Sequence, residues 1–331
     1  MTRGNRLTRS VIAVPLLAGA LALASLAPLG AAAQPAATTT EPASTEPASA
    51  QPASARPAAA PAGERSSART PALPGGGRKV FGRKRFLVAY YGTAATGALG
   101  VLGETDPDTM HARLRKAAKP FRRKGERIQP VYELIATVAD PIPGADGDYN
   151  HDVLHSRVQE YIDAAQRNKA LLVLDLQPGR SDFLTVAKRW EWALAHPWVG
   201  LALDPEWRMG PDQVPGQSIG SVRAKEVNEV SQWLDDLTAA SALPQKVFVL
   251  HQFQAAMVGR INKVADRPNL AEVQHVDGFG TPAQKQATYA AVARPRQFAM
   301  GFKLFYDEDS PRMRAGAVRR KLPAVRFVSF Q

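Results

Sequence analysis

The sequence predicts an α/β fold, a single (β/α)8 TIM-like barrel that lacks its eighth helix, and three observations lead to this prediction. Eight short apolar runs lie within residues 78–331, and segments of helical periodicity separate them. The runs are continuous rather than alternating, which is typical of parallel strands buried on both faces. Eight strand–helix units in about 250 residues match the usual size of a barrel. A doubly wound open sheet is the alternative, but no glycine-rich phosphate loop follows any of the runs.

The apolar runs are rich in Val, Leu, Phe and Tyr, which favour β-strands. They comprise residues 86–92, 128–134, 170–176, 199–204, 246–251, 273–279, 298–306 and 325–330. Helix start signals, such as Thr281 before Pro282, precede the segments between them. The predicted helices comprise residues 110–124, 153–168, 183–195, 222–240 and 283–293, with a last short helix at 312–321. Because the last run ends beside Gln331, the eighth helix is expected to be absent.

The composition of the N-terminal part of the chain indicates an export signal and a linker rather than a folded domain. Residues 1–33 contain three arginines, an apolar run and then three alanines, as in a cleaved secretory signal. An uncleaved membrane anchor is the alternative, because the apolar run approaches the length of a span. Residues 34–77 are mostly Ala, Pro, Ser and Thr, so a disordered linker is expected before a barrel domain at 78–331. We therefore expect a secreted or cell-wall-associated protein with no stable membrane span after cleavage.

The charge of the chain is strongly basic. Lys and Arg number 42 against 30 Asp and Glu, a formal net charge of +12. The basic residues form short clusters, for example at 119–124 and 319–321. Attraction to an anionic wall polymer or lipid headgroup is one interpretation, and a solvated positive surface is the other. Nucleic acid is not a predicted partner, because no nucleic-acid-binding module is visible.

Polar residues concentrate where the predicted strands end, while the strand starts are short, basic or featureless. In a parallel barrel these ends converge on one face, which carries the active site. The aromatic members could stack on sugar rings or fill the top of the barrel. The candidate substrate-binding residues are Tyr90, Tyr91, Glu133, Asp175, Gln177, Trp207, His251, Gln252, Asp277, Lys303, Tyr306 and Asp307.

Asp204 and Glu206 are the candidate catalytic residues. They follow the fourth run, and alternate residues of a strand project to the same face, roughly 7 Å apart. Neighbouring carboxylates push one another's pKa values apart, so one can act as general acid while the other stays ionised. The alternative is structural: Asp204 would cap the strand, and Glu206 would pair with Arg208 on the surface.

The segment from Gly200 to Glu206 resembles the fourth-strand motif of glycoside hydrolase family 18, the chitinase-like barrels. It is more loosely similar to the Asp-x-Glu motif of family 25 lysozymes. The resemblance implies that Glu206 is the general acid and that Asp204 assists an N-acetyl group of the substrate. Val199 and Ala202 stand where family 18 has two further aspartates. The chain as a whole is similar to uncharacterised secreted proteins of actinomycetes, which implies no activity.

The sequence thus predicts a secreted glycoside hydrolase that acts on a cell-envelope or environmental polysaccharide by carboxylate chemistry. No cofactor and no metal are predicted, since the chain has no cysteine and no His-Glu-x-x-His helix. Carboxylates such as Asp175 and Asp277 could alternatively bind Mg²⁺ or Ca²⁺. A different class of function remains open: a non-catalytic barrel that binds cell-wall glycan or serves as an extracytoplasmic scaffold.

Overall fold

The computed structural model describes residues 71–322 and 324–331. In this part of the chain eight parallel strands form a closed barrel, because each strand pairs with the next and β8 pairs with β1. The predicted fold class is therefore confirmed. The strands are β1 (Arg85–Gly92), β2 (Arg127–Ala139), β3 (Leu171–Leu176), β4 (Val199–Leu203), β5 (Lys246–Gln252), β6 (Leu270–Val276), β7 (Ala299–Leu304) and β8 (Val325–Phe330).

Seven α-helices connect the strands in the described residues. Asp106 accepts hydrogen bonds from the amides of Asp108 and Thr109 at the start of the first helix, and Thr281 caps the sixth through a capping box. The helices are α1 (Pro107–Ala118), α2 (His155–Asn168), α3 (Phe183–Arg189), α4 (Glu191–Leu194), α5 (Ala224–Ala240), α6 (Pro282–Val292) and α7 (Ala315–Lys321).

Three connections differ from the regular pattern. After β2, Asn150–Asp152 forms a short strand antiparallel to the end of β2. The helix predicted at 183–195 is divided into α3 and α4 at Trp190, whose buried indole donates a hydrogen bond to the Thr137 hydroxyl. Between β5 and β6 the described chain forms 3-10 turns and a two-residue strand instead of an α-helix. That strand, Val258–Gly259, pairs with Val222–Arg223 outside the barrel.

The barrel has two apolar layers. Small and branched side chains such as Ala202, Val247 and Val273 fill the interior, where Phe327 adds a ring. The larger side chains of the same strands pack outward against the helices. β4 illustrates the alternation predicted from its sequence, since Leu201 and Leu203 belong to the outer layer and Ala202 to the inner one.

Residues 71–84 close the amino-terminal end of the barrel. Leu73 and Val80 are buried in the interior cluster, and the Arg78 side chain donates hydrogen bonds to the carbonyls of Ala242 and Leu243. Residues 71–77 therefore do not belong to the predicted disordered linker, because Leu73 finds an apolar site under the barrel. The signal predicted at 1–33 and the remainder of the linker, 34–70, lie outside the described residues.

None of the helices in the described part of the chain is long and apolar enough to cross a membrane.

Candidate functional site

A cluster of titratable side chains fills the carboxyl-terminal end of the barrel interior. Strand alternation directs the members that lie within strands inward, one layer above the apolar core, and two acids, Asp204 and Asp277, directly follow β4 and β6. Seven residues form this cluster, named here the carboxyl-end cluster, and all are buried. Its members are Tyr91, Glu133, Asp175, Asp204, His251, Asp277 and Lys303.

His251, at the end of β5, is the centre of the cluster. Its Nδ1 lies 3.0 Å from Asp277 Oδ2, and its Nε2 lies 3.2 Å from Glu133 Oε1 and 3.9 Å from Asp175 Oδ1. Burial disfavours the imidazolium and Lys303 repels it, but the hydrogen bonds to Asp277 and Glu133 outweigh both effects. The pKa of His251 is therefore raised well above its ordinary value. The ring is a buried cation that bridges acids of three strand ends.

Lys303 of β7 is the second cation of the cluster. Its Nζ lies 3.8 Å from Asp277 Oδ2 and 3.6 Å from the centre of the Tyr91 ring, a cation–π contact. It also donates a hydrogen bond of 3.3 Å to the side-chain oxygen of Gln331. Although burial lowers the pKa of Lys303, the surrounding carboxylates, Asp277 first among them, raise it overall. Asp277 correspondingly has a lowered pKa despite its burial, because it faces both cations.

Tyr91 and Gln177 orient Asp175. The Tyr91 hydroxyl donates a 2.7 Å hydrogen bond to Asp175 Oδ2, and the Gln177 amide donates one of 3.4 Å to the Tyr91 oxygen. Burial raises the pKa of Asp175 to about 6, and the charge of His251 works against this shift. The same burial raises the pKa of Tyr91 well above its ordinary value, so Tyr91 remains a hydrogen-bond donor.

Asp204 and Glu206 differ from the geometry expected of a strand. β4 ends at Leu203, and residues Pro205–Trp207 form a 3-10 turn, so the alternation of a strand does not relate the two acids. Burial and neighbouring charges nevertheless shift the pKa values of both acids. Burial, followed by the charge of Glu206, raises the pKa of Asp204 well above its ordinary value. Burial and the charge of Asp277 raise the pKa of Glu206 to about 7.

Glu206 is more accessible than the members of the cluster. Solvent reaches part of its side chain, as it does that of Trp207 in the same turn. The predicted alternative, a surface ion pair with Arg208, is not formed, because Arg208 Nε lies 2.9 Å from Glu226 Oε1 instead. Within the described residues the Glu206 side chain forms no hydrogen bond and no ion pair.

The cluster contains more acids than cations, and several of their oxygens are unpartnered. Among the described residues one buried oxygen each of Glu133, Asp175, Asp204 and Asp277 lacks a hydrogen bond. Desolvation makes a full set of negative charges unfavourable here, so protons are held on some of the acids. In the portion of the chain that is described, no three His, Asp or Glu side chains are arranged to hold a metal ion. The arrangement is suited to storing and transferring protons.

Three further residues, none of them among the candidate catalytic or substrate-binding residues, support the cluster from below. The His275 ring lies 5.1 Å from that of His251, and its Nε2 lies 2.7 Å from the Ser329 hydroxyl. A side chain at Gly301 would overlap the His275 ring. Burial and the charge of His251 lower the pKa of His275 well below its ordinary value. A glycine inside a strand and a histidine two residues before Asp277 are the signals that could have identified them.

Three of the predicted substrate-binding residues do not face the barrel interior. Tyr90 alternates with Tyr91 and packs outward, where its hydroxyl lies 3.2 Å from that of Tyr306. The Tyr306 ring is stacked on Phe330, and the Arg312 guanidinium lies 4.2 Å from its centre. Gln252 likewise alternates with His251. Its side-chain oxygen accepts a hydrogen bond from Gln274 on the outer side of β6.

Two clefts lie at this face of the barrel. One, of about 330 Å³, is lined by the loop after β1, by Tyr306 and Asp307 after β7, and by Gln331, which contacts Lys303. The other, of about 450 Å³, is lined by residues that follow β3 and β4, including Arg208 and Glu226. Asp307 therefore lies at the first cleft. Neither cleft is lined by the buried carboxylates or by Glu206.

No model of a known protein family matches this chain, and no curated protein matches it either. The resemblance to glycoside hydrolase family 18 therefore rests on the short segment at the end of β4. Barrels support many unrelated chemistries, so the function has to be argued from the site itself.

Proposed function

We propose that this protein hydrolyses a glycosidic bond and that Glu206 donates the proton to the leaving oxygen. The observation that carries the proposal is the position of Glu206, a partly exposed acid above a buried carboxylate cluster. It has no ion pair among the described residues, and it follows β4 at the end where barrel enzymes carry their active sites. A pKa of about 7 keeps a substantial fraction of the acid protonated at neutral pH, as a general acid requires.

The cluster supports the other half of such a reaction. As Glu206 transfers its proton and the glycosidic C–O bond breaks, positive charge develops at the anomeric carbon. Asp277, whose pKa is lowered, supplies a stable negative charge nearby. Asp204, which burial keeps protonated, would donate a hydrogen bond to a polar group of the substrate, such as an N-acetyl group. Attack by water then completes hydrolysis, and its released proton returns to Glu206.

A single substitution tests this proposal. Glu206→Gln keeps the size of the side chain but removes the transferable proton. We expect the full chain to release reducing ends from labelled cell-envelope glycans or N-acetylglucosamine oligomers, and the variant to be at least about 100-fold slower. The exposed Glu191 gives a matched control, since Glu191→Gln should keep full activity. If Glu206→Gln hydrolysed the substrate at the wild-type rate, the proposal would be wrong.

The pH dependence of the rate gives a second test. An acid with a pKa of about 7 must be protonated to act, so the rate should fall as the pH rises above 7. The fall should approach tenfold per pH unit, and it should be absent from the residual rate of Glu206→Gln. A rate that keeps rising to pH 9 would assign the essential proton to another group.

A non-catalytic barrel that binds glycan is the second candidate, and the closure of the site favours it. Glu133, Asp175, Asp204 and Asp277 are buried, and the two clefts of this face are lined by other residues. In that case glycan would bind without turnover, and substitutions at the first cleft, such as Asp307→Asn, would weaken binding more than Glu206→Gln does.

A further inference from the structure

The amino-terminal face of the barrel carries a contiguous basic surface. Exposed lysines and arginines occupy the starts of β1, β2, β3, β7 and β8. These five strands are consecutive neighbours in the barrel. We name this surface the basic arc and define it as the exposed Lys and Arg side chains of 119–127, 294–296 and 320–321, with Lys84 and Lys169. In the sequence these residues are up to 237 positions apart, and the closed sheet brings them together.

The charges of the basic arc are not neutralised by any carboxylate of the described residues. In the part of the chain that is described, none of its exposed side chains forms an ion pair with a carboxylate. The acid inside the arc, Glu126, is paired with Arg319, whose side chain is largely covered. Arg123 donates a hydrogen bond to the Arg319 carbonyl and so joins the entrances of β2 and β8. The arc therefore presents positive charges that the carboxylates of the described residues leave unpaired.

The shape and composition of the arc identify the kind of partner. Neighbouring strands lie about 4.8 Å apart, so five of them extend for roughly 20 Å around the barrel, far more than one phosphate needs. The aromatic residues of the same segments, Phe81, Phe121 and Phe298, are buried or partly covered, which leaves no platform for stacked bases. The large exposed apolar side chains of the described residues lie elsewhere, at Ile142, Leu154, Ile219 and Phe279, so the arc offers none for insertion into a bilayer.

We propose that the basic arc binds a flexible phosphodiester polymer with a polyol backbone, through repeated contacts of guanidinium and ammonium groups with its phosphates. Arg binds phosphate in a bidentate manner, and Lys provides a mobile point charge. Occupation of this face leaves the opposite face, beneath which the carboxyl-end cluster is buried, unobstructed. The inference does not depend on the proposed hydrolysis.

The test measures binding of poly(glycerol phosphate) to the full chain by titration calorimetry at about 50 and about 200 mM NaCl. The arc variant combines Arg122→Gln, Lys124→Gln, Arg320→Gln and Lys321→Gln. These side chains are exposed, and circular dichroism checks that the fold is kept. We expect the wild-type affinity to fall steeply with salt. The arc variant should bind at least about tenfold more weakly at the lower salt, with a shallower salt dependence.

A matched control removes the same charge elsewhere. Arg157→Gln, Lys188→Gln, Lys225→Gln and Arg314→Gln alter four exposed side chains outside the arc. This variant loses the same net charge as the arc variant, and the general effect of that loss should weaken binding by no more than about twofold relative to the wild type. Equal losses in the two variants would overturn the proposal, because attraction would then follow net charge alone. Tighter binding to anionic phospholipid vesicles or to single-stranded DNA than to the polymer would overturn it as well.

Discussion

The two ends of this barrel handle charge in opposite ways, although the same eight strands build both. At the carboxyl-terminal end, acids and two cations are buried and satisfy one another in part. At the amino-terminal end, Leu73 and Val80 complete an apolar core, and the cations of the basic arc stand in solvent around it. The buried Lys246 of this end is held by the carbonyls of His196 and Val199 rather than by acids. Burying charge requires compensation from every neighbour, whereas charge in solvent requires almost none. Substitutions at the two ends should therefore have very different effects on stability and on binding.

The largest difference is expected for a lysine at each end. Lys303→Met removes a buried cation and leaves Asp277 and its neighbours with excess negative charge. We expect a loss of about 3–5 kcal/mol in the free energy of unfolding at neutral pH. Lys321→Met, at the exposed end, should change it by less than about 0.5 kcal/mol. Urea denaturation measures both values. If Lys303→Met changed the free energy of unfolding as little as Lys321→Met, the stability of the cluster would not depend on its lysine.

A smaller effect is expected where the amino-terminal end is closed by apolar contact. Leu73→Ala should lower the free energy of unfolding by about 2–3 kcal/mol, because it leaves a cavity in the interior cluster. The same substitution at Leu154 serves as the control. Leu154 is 71% accessible, whereas Leu73 is 4% accessible. Leu154→Ala should cost less than about 0.5 kcal/mol. If denaturation midpoints of the two variants coincide, residues 71–84 are not part of the folded core.

The smallest effect concerns pH. Burial raises the pKa of Glu206 to about 7 and that of Asp175 to about 6, from ordinary values of 4.5 and 3.8. Between the ordinary and the raised pKa of each acid, the folded state binds more protons than the unfolded state. The free energy of unfolding therefore decreases as the pH rises toward 7. Asp277 has a lowered pKa and contributes in the opposite sense, with loss only at acid pH. Thermal unfolding should therefore move to lower temperature between about pH 5 and pH 7.

The contribution of Glu206 to this pH dependence can be isolated. Glu206→Gln should remove about 1–2 kcal/mol of the change in unfolding free energy, a value discounted because solvent reaches the side chain. Glu191→Gln, which alters an exposed residue, should leave the pH dependence as it is in the wild type. An unaltered slope in Glu206→Gln would mean that Glu206 titrates as an ordinary surface acid.

Much of the barrel could be predicted from local patterns because strands buried on both faces are continuous apolar runs. The last strand agrees with its predicted bounds, 325–330, and β4 differs by one residue. The run at 273–279 was placed three residues late, because Glu272 interrupts the apolar pattern although it is buried in β6. Residues 71–77 were predicted as linker because their composition is that of a linker, and one buried leucine is too weak a local signal.

The candidate site was predicted less completely. The acids and His251 were found because polar residues mark the strand ends. Which of two neighbours faces inward was not decided, so Tyr90 and Gln252 were selected together with Tyr91 and His251. The contact between His275 and Ser329 could not be predicted, because the two residues are 54 positions apart in the chain. Side chains of a strand point alternately inward and outward, and a run of polar residues does not show which of them point inward.

The amino-acid sequence by itself determined the alternation of strands and helices, the inward and outward sides of β4, and the set of acids at the strand ends. These features depend on neighbours in the chain. Only the tertiary structure decided that His251 contacts Glu133, 118 residues away, and that basic residues of five strand entrances form one surface. The physical reason is that pairing, burial and the resulting charge states depend on the closure and register of the barrel, which bring together residues far apart in the chain.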